Sequence, residues 1–307
     1  DVLAQRSSTL LQLGRVREAA EGVAEARERL QRVSDPAFRK IFELPVLAAE
    51  SDLLRQQNSQ QAALAAQQAI DIAVDRGDRA RLPQFYLRLA KANIVGGRLD
   101  EAERALGAGI TAFDQRRARL TDESGLSADD ESWELFNTAL RLAIRRGDNE
   151  RAFAMAERSR ATSLAEQRRL VSIPSLSEVQ GTIRPNEAIV AMNQFDDELA
   201  VWVIRSNGTT VVPRPIDLID ARRIVARQQE EIRREASHPN ASAELYDLIV
   251  RPLGSHLRGV TRIVFVPDTT YEAVSFAALW DRPRKAFLVE RLTLSAAPNV
   301  TALYTAA

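Results

Sequence analysis

The sequence predicts a helical repeat array over about the first half of the chain, followed by the opening portion of an α/β domain. Three observations carry this. A polar turn followed by an early Ala recurs four times in the first half. After Val171 the helical pattern breaks and β-branched residues become frequent. Later, the apolar run Ile263-Val264-Phe265-Val266 ends in Pro267-Asp268, as a buried parallel strand does when it delivers a loop.

The repeat signal comes first. The four instances are Gly14-Arg15-Val16-Arg17-Glu18-Ala19, Gln57-Asn58-Ser59-Gln60-Gln61-Ala62, Gly97-Arg98-Leu99-Asp100-Glu101-Ala102 and Gly147-Asp148-Asn149-Glu150-Arg151-Ala152. Their alanines lie 43, 40 and 50 residues apart, a period of helix-hairpin solenoids. Gly supplies the left-handed residue that ends one helix. Asp100, Asp148 and Asn149 suit the start of the next. The small Ala lets two helices approach closely. Leu82, Phe85, Leu89 and Ala92 keep helical spacing beside one such turn. Ser34-Asp35-Pro36 reads as a helix start with Pro at the first helical position. Pro45 predicts a break or kink in the helix that follows. The acidic stretch Thr121–Glu131 reads as a solvated loop and accounts for the longest spacing. Over residues 1–171 these motifs resemble tetratricopeptide repeats in a longer-than-usual form, which implies a concave face for protein or peptide partners. An irregular helical bundle is the alternative for the same residues.

Composition narrows the function classes. Lys plus Arg number 42 and so do Asp plus Glu, so the chain lacks the basic footprint of a nucleic-acid binder. No apolar run approaches the roughly 18–20 residues that span a bilayer. The start, Asp1–Arg6, has no signal-peptide pattern and no initiator Met, which predicts a fragment or a processed form. With no Cys there is no disulfide framework, thiolate zinc site or thiol nucleophile within the 307 residues. This composition fits a reducing, cytoplasmic setting.

The second half, residues 172–307, reads as α/β. Pro174, Gly181 and Pro185 interrupt helix. Ala188–Met192 and Leu199–Ile204 read as strands, and Asn207-Gly208 as a hairpin turn into a third strand, Thr209–Val212. The three predict an antiparallel meander. Leu218–Ala236 predicts a helix with Ile219, Ile224, Val225 and Ile232 as its apolar residues and a mixed Arg/Glu solvated face. Ser242–Leu257 predicts a second helix, split near Pro252. Phe276–Leu279 suggests a short turn. Phe287–Glu290 and Leu292–Leu294 suggest extended chain, and Pro298-Asn299 a helix start. Too few strands follow to close an α/β sheet, which predicts an unpaired edge.

Three segments together resemble the CHAT domains, caspase-like domains that accompany tetratricopeptide repeats in bacteria. They are Ala156-Glu157-Arg158-Ser159-Arg160-Ala161, Leu245–Leu253, and Ile263–Asp268 continuing through Val274–Leu279. Leu288-Val289-Glu290 and Ser295–Asn299 extend the likeness. Thr269 and Ser275 depart from the family, which usually has Gly and Pro there. The resemblance implies a cysteine-peptidase fold with a His–Cys dyad, in which His activates the thiol that attacks a peptide carbonyl. Both dyad residues follow later strands in the family, and no position here matches either motif. The resemblance therefore implies a peptidase domain truncated before its dyad. The alternative is a non-catalytic scaffold that binds proteins through the repeats.

No catalytic, cofactor-binding or metal-binding residue is assigned. His238 precedes Pro239 in a polar linker, and His256 lies near a helix end. Neither belongs to a metal-ligand pattern, and no Gly-rich phosphate loop occurs. Asp268, at a strand end, is the one carboxylate placed for a role. Capping the following turn is its simplest one, and shaping the rim of a substrate pocket is the functional one that the family suggests. Trp133, Trp202 and Trp280 read as core or domain-contact residues.

Overall fold

A computed structural model describes residues 2–118, 129–163, 173–235 and 239–306. The chain forms two compact units, Asp1–Leu142 and Ala143–Ala307.

Among the described residues the first unit is helical throughout. Its helices are α1 (Val2–Gln12), α2 (Val16–Gln31), α3 (Pro36–Leu54), α4 (Ser59–Asp75), α5 (Leu82–Val95), α6 (Leu99–Arg117) and α7 (Asp129–Arg146), which crosses into the second unit. The expected glycine turns form for the expected reason. Gly14, Gly97 and Gly147 have φ of 73°, 71° and 71°. At each, the next residue reaches back to a helical carbonyl. Arg15 N donates to Leu10 O at 2.8 Å, Arg98 N to Asn93 O at 2.9 Å, and Asp148 N to Ala143 O at 3.0 Å. These bonds satisfy carbonyls that a helix end leaves open. The second turn has no Gly, and Asn58 instead caps α4 by accepting from Gln61 N at 3.1 Å. All four repeat alanines, Ala19, Ala62, Ala102 and Ala152, have zero exposure, so each sits where a helix meets its neighbour.

Asp35 caps α3 by accepting from Ala37 N at 2.7 Å, with Pro36 in the first turn, as expected. Of the break or kink expected at Pro45, the break does not form, because α3 runs through it. Pro45 forfeits one backbone bond. Its neighbours Leu44, Val46 and Leu47 are buried, and that apolar burial holds the helix together across the gap. Leu44, Leu47, Ile70 and Phe85 centre one core, with Leu82 and Leu89 packed against it. Phe113 on α6 meets Phe136 on α7 edge-on, with centroids 5.6 Å apart. Residues 121–128 of the acidic stretch lie outside the described residues, whereas Asp129–Glu131 begin α7.

The second unit contains α8 (Asn149–Ser163), α9 (Leu176–Thr182), β1 (Glu187–Gln194), β2 (Glu198–Arg205), β3 (Gly208–Pro215), α10 (Leu218–Arg233), α11 (Asn240–Leu245), β4 (Arg262–Val266), β5 (Trp280–Asp281), β6 (Ala286–Phe287), β7 (Thr293–Ala296) and α12 (Val300–Ala306). The main sheet has the order β3-β2-β1-β4-β7. The first three strands form the expected antiparallel meander, while β1–β4 and β4–β7 are parallel. β7 pairs with β4 and with no other described strand. β5 and β6 form a separate small ribbon.

Strands β1 and β2 are buried on both faces. Ala188, Val190 and Met192 pack with Val225 of α10 and Leu245 of α11. The alternate residues Ile189 and Ala191 are buried too. Helices α8 and α9 also reach the sheet, at its edge strand β3. Asn149 donates to Thr209 O at 3.4 Å and Gln180 to Thr209 Oγ1 at 3.1 Å. Burial of both faces of β1 and β2 suits a sheet that contains parallel strands.

Several local expectations shift. The hairpin tip is Ser206-Asn207, and Gly208 already pairs with Arg205 as the first residue of β3. Gly181 lies inside α9, which Ser175 and Glu178 start with a reciprocal cap. On α10, Ile219 is 74% exposed and Ile232 43%, while Gln228 is fully buried. The helix predicted over 242–257 is α11, then one wide turn at Tyr246–Val250 and one tight turn at Arg251–Leu253. Pro252, with no N–H to donate, favours that change of winding. Leu288–Glu290 is a tight helical turn rather than extended, because Glu290 folds back to accept from Phe287 N at 2.7 Å.

Candidate functional site

Parallel strands β1, β4 and β7 end on the same side of the sheet. In open α/β sheets that side carries the ligand-binding and reactive loops. A network of polar side chains occupies it here.

Asp268 follows β4 by two residues. It caps the next turn by accepting from Thr270 N at 2.9 Å, the simpler of its two expected roles. It also accepts from Gln194 N, so it clamps the end of β1 to the loop after β4. Burial pushes its carboxyl above the usual range, against the pull of the Gln194 and Thr270 N–H groups and the Arg160 charge. Gln194 extends the clamp. Its amide donates to Phe195 O at 2.7 Å and Ile216 O at 3.1 Å, and its carbonyl accepts from Tyr271 Oη at 2.8 Å. Burial likewise raises Tyr271, so its hydroxyl stays protonated and remains a donor.

The other half of the network comes from α8. Arg160, with a side chain only 10% exposed, donates to Glu157 at 3.0 Å, to Met192 O at 2.8 Å and to Asn193 Oδ1 at 3.3 Å. Asn193 Oδ1 also accepts from Trp202 Nε1 at 3.0 Å. Glu157 reaches the last helix of the unit. Its second oxygen accepts from Thr301 N at 2.8 Å and Thr301 Oγ1 at 2.7 Å, at the start of α12 after β7. A carboxylate at a helix N-terminus is favoured by the unpaired N–H groups there. Thus α8 touches the end of β1 and the start of α12, and its arginine charge acts on Asp268 after β4. The pattern fixes loop geometry, and its carboxylates are engaged by donors rather than offered to a substrate.

The loop after β4 is held from α10 as well. Buried Gln228 donates to Ser275 O at 3.2 Å and accepts from Ser275 N at 3.1 Å, and Gln229 donates to Ala273 O. Below it, Phe265 stacks on Phe276 with centroids 4.1 Å apart. A separate buried carboxylate, Asp281, accepts from Tyr246 Oη at 2.7 Å, Arg284 at 2.8 Å and Arg291 at 3.0 Å. Burial would raise Asp281, but the Arg284 and Tyr246 hydrogen bonds outweigh it and hold the carboxyl below its usual value.

His238 lies outside the described residues. His256 is partly exposed, and its carbonyl accepts from Arg205 at 3.1 Å. No group of three potential metal ligands occurs among the described residues. Trp202 is core as expected, and Trp280 packs against Phe287 at 4.7 Å. Trp133 departs from expectation at 45% exposure. Glu157 and Arg160 were visible in sequence only as part of a motif. The polar pair Asn193-Gln194, which ends an apolar strand, was the unused signal for the network.

Residues 239–307, from the start of α11 through α12, match the family model described as the CHAT domain. Comparison with curated proteins gives no match.

Proposed function

We propose that the chain joins a protein-binding helical array to a caspase-like, peptidase-related domain. The CHAT match over residues 239–307 carries this reading, because it falls on β4, β7 and the loops of the strand-end network. In this reading residues 1–171 are tetratricopeptide-like repeats that take a protein or peptide partner on their concave face, and residues 172–307 are the opening part of the peptidase domain. The setting is a bacterial cytoplasm. Nucleic acid, metal and cofactor have no part in it.

The chemistry is thiol attack on a peptide carbonyl, with a His as base. The 307 residues contain no Cys, so the nucleophile of such a domain lies outside them, and these residues by themselves are catalytically silent. What they contribute is position, through Asp268, Gln194 and the α8 pair at the strand ends. A second reading is a non-catalytic scaffold, favoured by the full engagement of those carboxylates.

The test is the gene beyond Ala307. Further strands followed by His-Gly and then Cys, with cleavage lost in the Cys→Ala variant of the full-length protein, support the peptidase. A continuation without that pair supports the scaffold.

A further inference from the structure

We infer that α8 is a coupling helix, which transmits the state of the α7–α8 turn through the Glu157–Arg160 latch to the end of β1, the loop after β4 and the start of α12. Three observations converge on it. First, α8 follows α7 after two residues, and that turn is tightly closed. Gly147 N donates to Ile144 O at 3.0 Å, Asp148 N to Ala143 O at 3.0 Å, and Asp148 caps Arg151 N at 3.1 Å. A shift of α7 is therefore passed to α8 with little slack.

Second, α8 holds the second unit by carboxylates set on two other helix starts. Glu150 accepts from Leu176 N at 3.0 Å and Ser177 N at 3.2 Å, at the start of α9. Glu157 does the same for Thr301 at the start of α12. Third, Arg160 bonds Met192 and Asn193 near the end of β1, beside Gln194, whose N–H donates to Asp268 after β4. The latch is buried, with the Glu157 side chain 1% exposed, so its bonds are exchanged for nothing when α8 moves. α7 itself spans the boundary between the units, with Leu142 in the first and Ala143 in the second. The device works the same whether the domain cleaves or only binds.

The glycine turns supply a matched test by hydrogen–deuterium exchange on the chain. At Gly147 and Gly97 φ is +71°, and an added Cβ meets nothing within 4 Å. Ala at either position adds left-handed strain alone, equivalent to about a fivefold change in a local opening equilibrium. Gly147→Ala is expected to speed exchange about fivefold in segments 192–196, 268–271 and 299–303, and Gly97→Ala to leave them unchanged. In a Glu157→Gln background the segments exchange fast already, and Gly147→Ala adds nothing. Thr301→Val removes one bond of the same latch from its other end, should the glutamine variant not fold. Equal effects of the two glycine substitutions, or an undiminished Gly147→Ala effect without the latch, overturn the inference.

Discussion

Replacing Asp281 by Asn removes a buried negative charge while keeping its shape. The side chain is 2% exposed and takes hydrogen bonds from Tyr246, Arg284 and Arg291. A bond to a charged group contributes about 1.5–3 kcal/mol. Arg284 and Arg291 are 60% and 36% exposed, so water screens much of their share, and each counts nearer the surface value of about 0–1 kcal/mol. The buried Tyr246 bond keeps its full weight. Together the loss is about 2–4 kcal/mol, which for a unit of this size lowers the melting temperature by roughly 5–10 °C. The pH dependence has a definite sign. The folded carboxyl lies below its ordinary value of 3.8, so its contribution is present above that pH and is lost as pH falls through the folded value. Urea unfolding of both proteins, followed by tryptophan fluorescence, should show a constant gap from about pH 7 to 5 that narrows steadily as pH falls below 3.8. A gap under about 1 kcal/mol at pH 7, or one that does not narrow below pH 3.8, would refute the assigned role of these donors.

Asp268 should behave in the opposite sense. Burial raises its carboxyl, so its contribution is full below 3.8 and declines as pH rises through the folded value. The stability difference between the wild type and Asp268→Asn should therefore fall from pH 3.5 toward 7, as measured by the same urea titrations. Within α6, Ala102→Leu overpacks a site with no exposure and should cost about 1–3 kcal/mol in thermal unfolding. Gly107→Ala, in the same helix and with no atom near an added Cβ, should instead stabilise by about 0.5–1 kcal/mol.

The helical half was legible because its signals are local. A Gly turn and an Ala five residues later lie on one stretch of chain, and each alanine proved fully buried. The meander was legible for the same reason, apart from the tip, where Gly208 begins a strand instead of forming the turn. Pro45 does not break α3, because apolar burial outweighs one lost backbone bond. The wide turn at Tyr246–Val250 left no periodic trace, since its apolar residues suit an ordinary helix. The candidate site was largely illegible. Asp268 stood out as a carboxylate at a strand end, but its main partner, Gln194, lies 74 residues away. Glu157 and Thr301 are 144 residues apart, and no local pattern joins them. Nor did the repeat signal around Gly147 indicate that α8 would pack with the α/β unit.

The most direct measurement of the central claim is covalent labelling of the full-length protein with an electrophilic peptide, read by mass spectrometry after digestion. The account predicts one modified Cys, on a peptide beyond residue 307, with labelling lost when the partnering His is replaced. A full-length protein that takes no label while folded, or that keeps its labelling without that His, would contradict a peptidase and leave the scaffold.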